Sequence, residues 1–283
     1  MRLSTLSILP MMPVHLAAAQ ALSAAVGWPH RLEDWAVVLG FGHGLAALDG
    51  EALVGTAVWW PMGAGAATLG MIIVAPERQG RGLGRRLMEA ALAETGSRTV
   101  LLNATREGLP LYRKMGFEPT GAVCQHQGMP PAAATATVPQ GAFLRPLQGD
   151  DLDTVIELDR AACGLPRAAM LRALAAAGMG LVLDIDERTR GYALYRRFGR
   201  GHVIGPVVAT DGESAKALID TWIASHDAGF LRIDVPLASG LSGWLETRGL
   251  TTVSEVVTMA RGAPPVTAPG APRRFALASQ ALG

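Results

Sequence analysis

The chain has 283 residues, enough for two domains of about 140 each; 49% of them are hydrophobic and 17% charged, which supplies apolar material for two cores. Lys plus Arg number 25 and Asp plus Glu 24, and the formal net charge of +1 excludes broad electrostatic attraction to nucleic acid or to an anionic membrane. Two cysteines without metal-ligand spacing, and no run near the roughly 18 apolar residues of a membrane span, read as a reduced, cytoplasmic protein.

The N-terminus imitates a secretory signal, with Arg2, apolar residues to Leu16, then Ala17-Ala18-Ala19. Pro10, Pro13 and His15 interrupt that run, and cleavage there would delete the first strand and part of the first helix, so cytoplasmic residence is the expectation. A strand is predicted at 3–10 and helices at 14–27 and 31–39. Strands follow at 44–48 and 52–60, separated by the turn signal Asp49-Gly50. Then come a strand at 67–74, a helix at 81–94, a strand at 99–104, a short helix carrying Tyr112, and a strand at 117–127.

The most informative stretch is V-A-P-E-R-Q-G-R-G-L-G-R, residues 74–85, between the apolar Met71-Ile72-Ile73 and an amphipathic helix. Amides at a helix start lack intrahelical partners and sit at the positive end of the macrodipole, so they bind phosphate oxygens. Gly80, Gly82 and Gly84 remove the Cβ atoms that would hold a pyrophosphate away. A second segment, L-L-N-A-T at 101–105 followed by L-Y-R-K-M-G-F at 111–117, runs from a strand through the N-cap candidate Thr105 into a helix stopped by Gly116. The spacing Gln79-x-x-Gly82-x-Gly84 resembles motif A of the GNAT N-acetyltransferases, and L-Y-x-x-x-G-F resembles motif B of the same family.

The resemblance implies an α/β fold with a mixed central sheet flanked by helices, and a site for acetyl-CoA. It implies that Gln79, Gly80, Arg81, Gly82, Leu83, Gly84 and Arg85 hold the pyrophosphate, with Ile72, Ile73 and Val74 along the coenzyme. A backbone amide near Ile73 or Val74, freed where the strands at 67–74 and 99–104 splay, would polarise the thioester carbonyl. Tyr112 would be the general acid beside the coenzyme sulfur. An asparagine often lies near the start of the motif B helix; here Thr105 or Asn103 could take that place.

An amine with a pKa near ~10.4 must lose its proton before it attacks. The strand at 67–74 carries no titratable side chain, so the base stays unassigned among His126, Glu33, Asp34 and a water chain. Trp59 and Trp60 end a strand toward the expected acceptor cleft; they pack in the core or, with His126, line the acceptor site.

Residues 130–141, rich in Pro, Ala and Thr, read as a linker between a domain at 1–129 and a second at 142–262. The second repeats the first: strand 143–147, helices 151–162 and 167–177, strands 180–186, 190–197 and 202–209, helix 213–226, strand 230–235, helix 241–248, strand 251–260. Its loop lacks paired glycines, however, and Asp211 and Glu213 would meet a pyrophosphate with like charge. The G-P-V-V-A run at 205–209 and the ending V-V-T-M-A-R-G resemble the C-terminal half of the YitH-type tandem acetyltransferases, a bacterial group. The second half is therefore expected to be a GNAT-like domain without coenzyme affinity. In the tail, 263–283, the apolar stretch Phe275 to Leu282 is expected to pack back onto a domain.

The functional expectation is direct acetyl transfer in a ternary complex to a primary amine of a small molecule or peptide, by a monomer or homodimer, with no nucleic-acid or membrane partner. A CoA-binding regulatory module, and transfer of a longer acyl group or to oxygen, stand as alternatives.

Overall fold

The computed structural model describes residues 6–131, 138–226 and 229–283. The first residues of the strand expected at 3–10, the start of the signal-like segment and residues 132–137 of the expected linker lie outside the described residues. The first half runs β1 (Leu6–Pro10), α1 (Leu16–Ala25), α2 (Leu32–Gly40), β2 (His43–Asp49), β3 (Ala52–Met62), β4 (Ala66–Val74), α3 (Leu83–Thr95), β5 (Thr99–Ala104), α4 (Leu109–Lys114) and β6 (Glu118–Gly128). The second half repeats that order: β7 (Ala142–Pro146), α5 (Leu152–Cys163), α6 (Ala168–Ala176), β8 (Gly178–Ile185), β9 (Arg188–Phe198), β10 (Gly201–Ala209), α7 (Gly212–Ala224), β11 (Leu231–Pro236), α8 (Ser242–Thr247) and β12 (Thr251–Arg261). One further strand, β13 (Arg273–Ala276), lies in the tail.

Local chemistry accounts for most of these elements. In α3 the residues Leu83, Leu87, Met88, Ala91 and Thr95 are buried, a 3.6-residue stripe against β3 and β4, while the arginines and glutamates between them face water. In β3 successive side chains alternate between the two faces of the sheet, and nearly all are buried because helices cover both sides.

The strands form one continuous sheet in the order β1-β2-β3-β4-β5-β12-β6-β11-β10-β9-β8-β7. The last strand of each repeat is exchanged. β12 pairs with β5 of the first half (Val257 with Ala104, Met259 with Leu102), and β6 pairs with β11 of the second (Ile233 with His126, Val235 with Cys124). The two exchanged strands also pair with each other, antiparallel. The division at 129 and 142 thus separates sequence repeats rather than separately closed sheets. The largest core cluster joins Trp35 and Leu87 of the first half to Leu171 and Tyr192 of the second.

Reciprocal loop contacts close the seam. The Gly199 amide donates to Asp34 Oδ2 at 2.9 Å, and Arg31 Nη2 donates to the Arg197 carbonyl at 3.1 Å. On the opposite side the β3–β4 turn meets the α5–α6 loop, where a Cβ on Gly63 would come within 2.7 Å of Pro166. Cys124 and Cys163 are both buried and free, and no described helix is long and apolar enough to cross a membrane.

Candidate active site

β4 ends at Val74, Pro76–Arg78 make a single 3-10 turn, and α3 begins at Leu83. Gly80 and Gly82 hold φ of +71° and +80°, where L side chains are strained, and a Cβ built on either meets nothing within 4 Å. Gly82 is the N-cap of α3; no side chain caps the helix, and its first turn carries no acid. The first-turn amides are therefore left without a side-chain cap at the positive end of the helix, beside open space at Gly80 and Gly82. Arg81 is exposed beside it, and Arg85 lies along the helix surface, paired with Glu89 at 2.8 Å. A Cβ on Gly84 would sit 3.7 Å from Val74 Cγ2 and 3.9 Å from Leu111 Cδ2, so loop, strand end and α4 converge there. Leu83 is buried and anchors the turn. Uncapped first-turn amides, no acid in that turn and the exposed Arg81 are the chemistry a diphosphate needs.

β4 and β5 pair over only three positions, Ala66 with Thr99, Ala67 with Val100 and Thr68 with Leu101, and then diverge. Past Thr68, β4 keeps β3 alone as its ladder partner. Met71 and Ile72 face the single residue Ala57 across a bulge, and Met71 holds φ of +52° with its carbonyl taking the Thr56 hydroxyl at 2.8 Å. Such a backbone costs roughly 1–3 kcal/mol and re-aims the strand beyond it. Ala75 N–H donates to the Val54 carbonyl at 2.9 Å, whereas the Val74 carbonyl accepts Gln79 Nε2 at 3.0 Å. Because the N–H and C=O of one strand residue point the same way, the Val74 amide faces the gap and that of Ile73 faces β3.

Tyr112 lies on α4, buried to 7% exposure, edge-on to Phe117 at 6.0 Å and packed over Gly108. Burial pushes its phenol up to about 12. Among the described residues nothing hydrogen-bonds its hydroxyl. Thr105 accepts the Gly108 amide at 3.3 Å on its hydroxyl and starts the α4 turn. Asn103 turns to the tail, donating to the Gln280 carbonyl at 2.8 Å and accepting the Thr258 hydroxyl at 2.8 Å. The structure thus commits both residues to protein contacts.

Three expectations are corrected. Trp59 donates to Glu94 of α3 at 2.8 Å and stacks on His43 at 4.3 Å, while Trp60, fully buried, donates to the Val38 carbonyl at 2.7 Å. Neighbouring strand residues point to opposite faces, so the two tryptophans sit in the core on either side of β3 and not in an acceptor cleft. His126 is fully buried beside α8, with Nδ1 at 3.0 Å from the Leu250 carbonyl and Nε2 at 3.1 Å from Ser242 Oγ. The strand exchange carries it into the second half. Asp34 is held by Arg31 and Gly199 in the seam, and Glu33 lies on the surface near Arg31.

The second half repeats the frame with the opening closed. Asp211 caps α7, accepting the Ser214 amide at 2.8 Å and its hydroxyl at 2.9 Å. Burial raises the Asp211 carboxyl, but these bonds outweigh it and hold the group below its ordinary range. β10 and β11 also diverge after Ile204 and Ile233, and there β13 pairs along β10, Val207 with Ala276 and Ala209 with Arg273. Leu245 on α8 stands at the level of Tyr112 on α4; each is followed by a chain reversal in which a later amide, Leu250 or Phe117, returns to its carbonyl.

From β13 the tail continues across the seam, buried from Phe275 to Ser279 and at Leu282, so the expected packing-back occurs over both halves. Leu277 N–H donates to the Asp234 carbonyl at 2.8 Å, Arg196 to the Ala278 carbonyl at 2.8 Å, and Arg167 to the Gly283 carbonyl at 2.6 Å. A cavity of about 760 Å³ lies between the halves, lined by Thr68 and Asn103, by Thr258 of the exchanged strand, and by Arg274 and Gln280 of the tail. Sequence reasoning missed these lining residues, except Asn103, because they converge from distant positions; the tail's apolar run signalled docking but not its place.

Two GNAT acetyltransferase domain models match the chain, at residues 41–119 and 155–270, together more than half of it. The chain belongs to the GNAT acetyltransferase family, carries two such domains in tandem, and is an acyltransferase. It is 29% identical over 233 residues to the uncharacterized N-acetyltransferase YitH of Bacillus subtilis, covering 78% of this chain and 79% of that protein. It is 28% identical over 203 residues to a holothin acyltransferase of a Pseudoalteromonas strain, covering 70% and 68%. A crystal structure of a putative acetyltransferase from Pyrococcus horikoshii shares the fold, with TM-score 0.79 and 19% identity over 100% of this chain and 98% of that one.

Proposed function

We propose that the first half transfers an acetyl group from acetyl-CoA to a primary amine in a ternary complex, and that the second half binds no coenzyme. The carrying observation is a contrast between equivalent places. The N-terminus of α3 is uncapped above an open β4–β5 gap, whereas α7 is capped by Asp211 and its gap is filled by β13.

The coenzyme supplies an activated thioester. The amides after Gly82, with Arg81, hold its diphosphate. The Val74 amide donates to the thioester carbonyl oxygen, and its bond strengthens as negative charge develops there. Tyr112, a phenol protonated at neutral pH and pushed by burial to about 12, gives its proton to the departing sulfur. The proton that the attacking nitrogen sheds as the C–N bond replaces the C–S bond restores the phenol. The amine enters from the cavity between the halves. One relative's name, holothin acyltransferase, supports acyl transfer as the activity. The exchanged strands complete the site within one chain, so a monomer suffices.

Calorimetry tests the reading. Wild type binds acetyl-CoA, and Gly82→Glu, which forces a side chain onto φ +80° and sets a carboxylate beside the diphosphate, abolishes binding while the melting temperature stays near wild type. Undiminished affinity in that variant overturns the assignment of the loop. Binding without thiol release across a pooled amine panel would instead establish a regulatory module.

A further inference from the structure

We infer that the cavity between the halves accepts an amine whose far end carries an anionic group. The inference rests on the acetyl-transfer reading for the fate of the amine, and on the cavity alone for the charge. At about 760 Å³ the cavity is of the size that holds small-molecule ligands. Its lining includes Arg167, Arg273 and Arg274 and no aspartate or glutamate side chain. Arg167 is neutralised by Asp159, which it grips with two bonds at 2.6 and 2.8 Å. Arg273 and Arg274 make no ion pair among the described residues; Arg273 donates to the Ala238 carbonyl at 3.0 Å. Two guanidinium groups without an aspartate or glutamate partner, Arg273 over the Phe275 ring at 5.1 Å and Arg274 beside the Cys163 thiol, therefore border a concave space, and guanidinium forks suit carboxylates and phosphates.

Two buried polar atoms without a partner among the described residues, Thr68 Oγ1 and Gln280 Nε2, belong to residues of this same lining. Thr68 is 95% buried, since its exposure is 5%. Unsatisfied buried donors are costly to leave unmade, and a ligand with acceptor atoms satisfies them. Thr68 is the last β4 residue paired with β5, where the two strands begin to diverge, and Gln280 lies in the tail, its carbonyl accepting from Asn103 of β5. A Cβ on Gly70 would come 3.1 Å from Ala281 Cα, so the tail forms a wall over the strand that presents the thioester. No aspartate or glutamate side chain lines the space to hold an ammonium ion, and burial favours the free amine, which bears on the unassigned base.

The experiment compares paired amines, ω-amino acids and tripeptides with a free carboxylate against the same compounds as amides. Transfer from acetyl-CoA is measured, together with direct calorimetric binding of the N-acetylated forms in the absence of coenzyme. Acids are expected to outrun amides, and Arg274→Gln to lower the acid-to-amide ratio of kcat/KM roughly tenfold to a hundredfold. Thr68→Val, which removes an unsatisfied hydroxyl, is expected to hold or raise the melting temperature while raising KM for the acids. Equal use of amides, an Arg274→Gln effect shared equally by both classes, or an unchanged KM in Thr68→Val overturns the proposal. If acetyl-CoA fails to bind, the coenzyme reading falls by itself; acid-selective binding of the N-acetylated forms that Arg274→Gln abolishes still sustains the anion site, and absence of that selectivity overturns it.

Discussion

Tyr112 combines a chemistry legible in the linear motif with an environment that was not. The L-Y-x-x-x-G-F spacing marks a tyrosine one turn before a helix stop, but its raised pKa comes from Phe117, Gly108 and the surrounding core. Like any phenol it carries its proton at physiological pH, and Tyr112→Phe, which removes that proton, is expected to lower kcat by about 10²- to 10⁴-fold. Acetyl-CoA affinity by calorimetry should stay near wild type; equal loss in both would make the phenol a binding contact and not the acid. Trp59, Trp60 and His126 show the limit of residue-level reading. Each is a residue type that could line a cleft, yet strand alternation and strand partner, rather than residue type, decide the face on which it lands.

At the scale of elements, α3 and α7 begin with opposite chemistry after similar strands. The glycine pair before α3 leaves the first-turn amides free, and D-G-E-S before α7 closes them internally. Removing the cap by Asp211→Ala is expected to cost about 1 kcal/mol in urea unfolding. It should not create coenzyme binding, because β13 still occupies the gap beside β10; a second equivalent of acetyl-CoA bound by that variant would refute the closure of the second half. The order of elements in both repeats was legible from periodicity and turn residues. β13 was not, since four residues after a proline-rich stretch carry no strand signal of their own and extend only because an unpaired edge awaits them.

The whole molecule is held by the seam, and His30 sits in it. Its ring meets Trp35 at 6.2 Å and Phe198 at 5.5 Å, and Nδ1 is buried without a partner among the described residues. Burial first, then the Arg232 guanidinium, lowers its pKa to about 4, with Asp34 opposing. The unfolded chain takes up this proton near its ordinary ~6.5 and the folded one only near 4, so stability is whole above ~6.5 and falls as pH drops toward 4. The loss should reach roughly 1–3 kcal/mol. His30→Phe is expected to flatten that part of the pH profile in urea titrations at pH 7 and 4.5, and an identical slope in wild type and variant would remove His30 as the cause. The sequence alone determined the repeat of elements, the glycine turn before α3, the tyrosine helix and the acidic, glycine-poor turn before α7, because each follows from interactions within about a dozen residues. Only the tertiary structure decided which last strand completes which half, where the tail lies and which side chains share a cavity. Two similar strands can satisfy the same open edges, and long-range packing of the whole chain chooses between them.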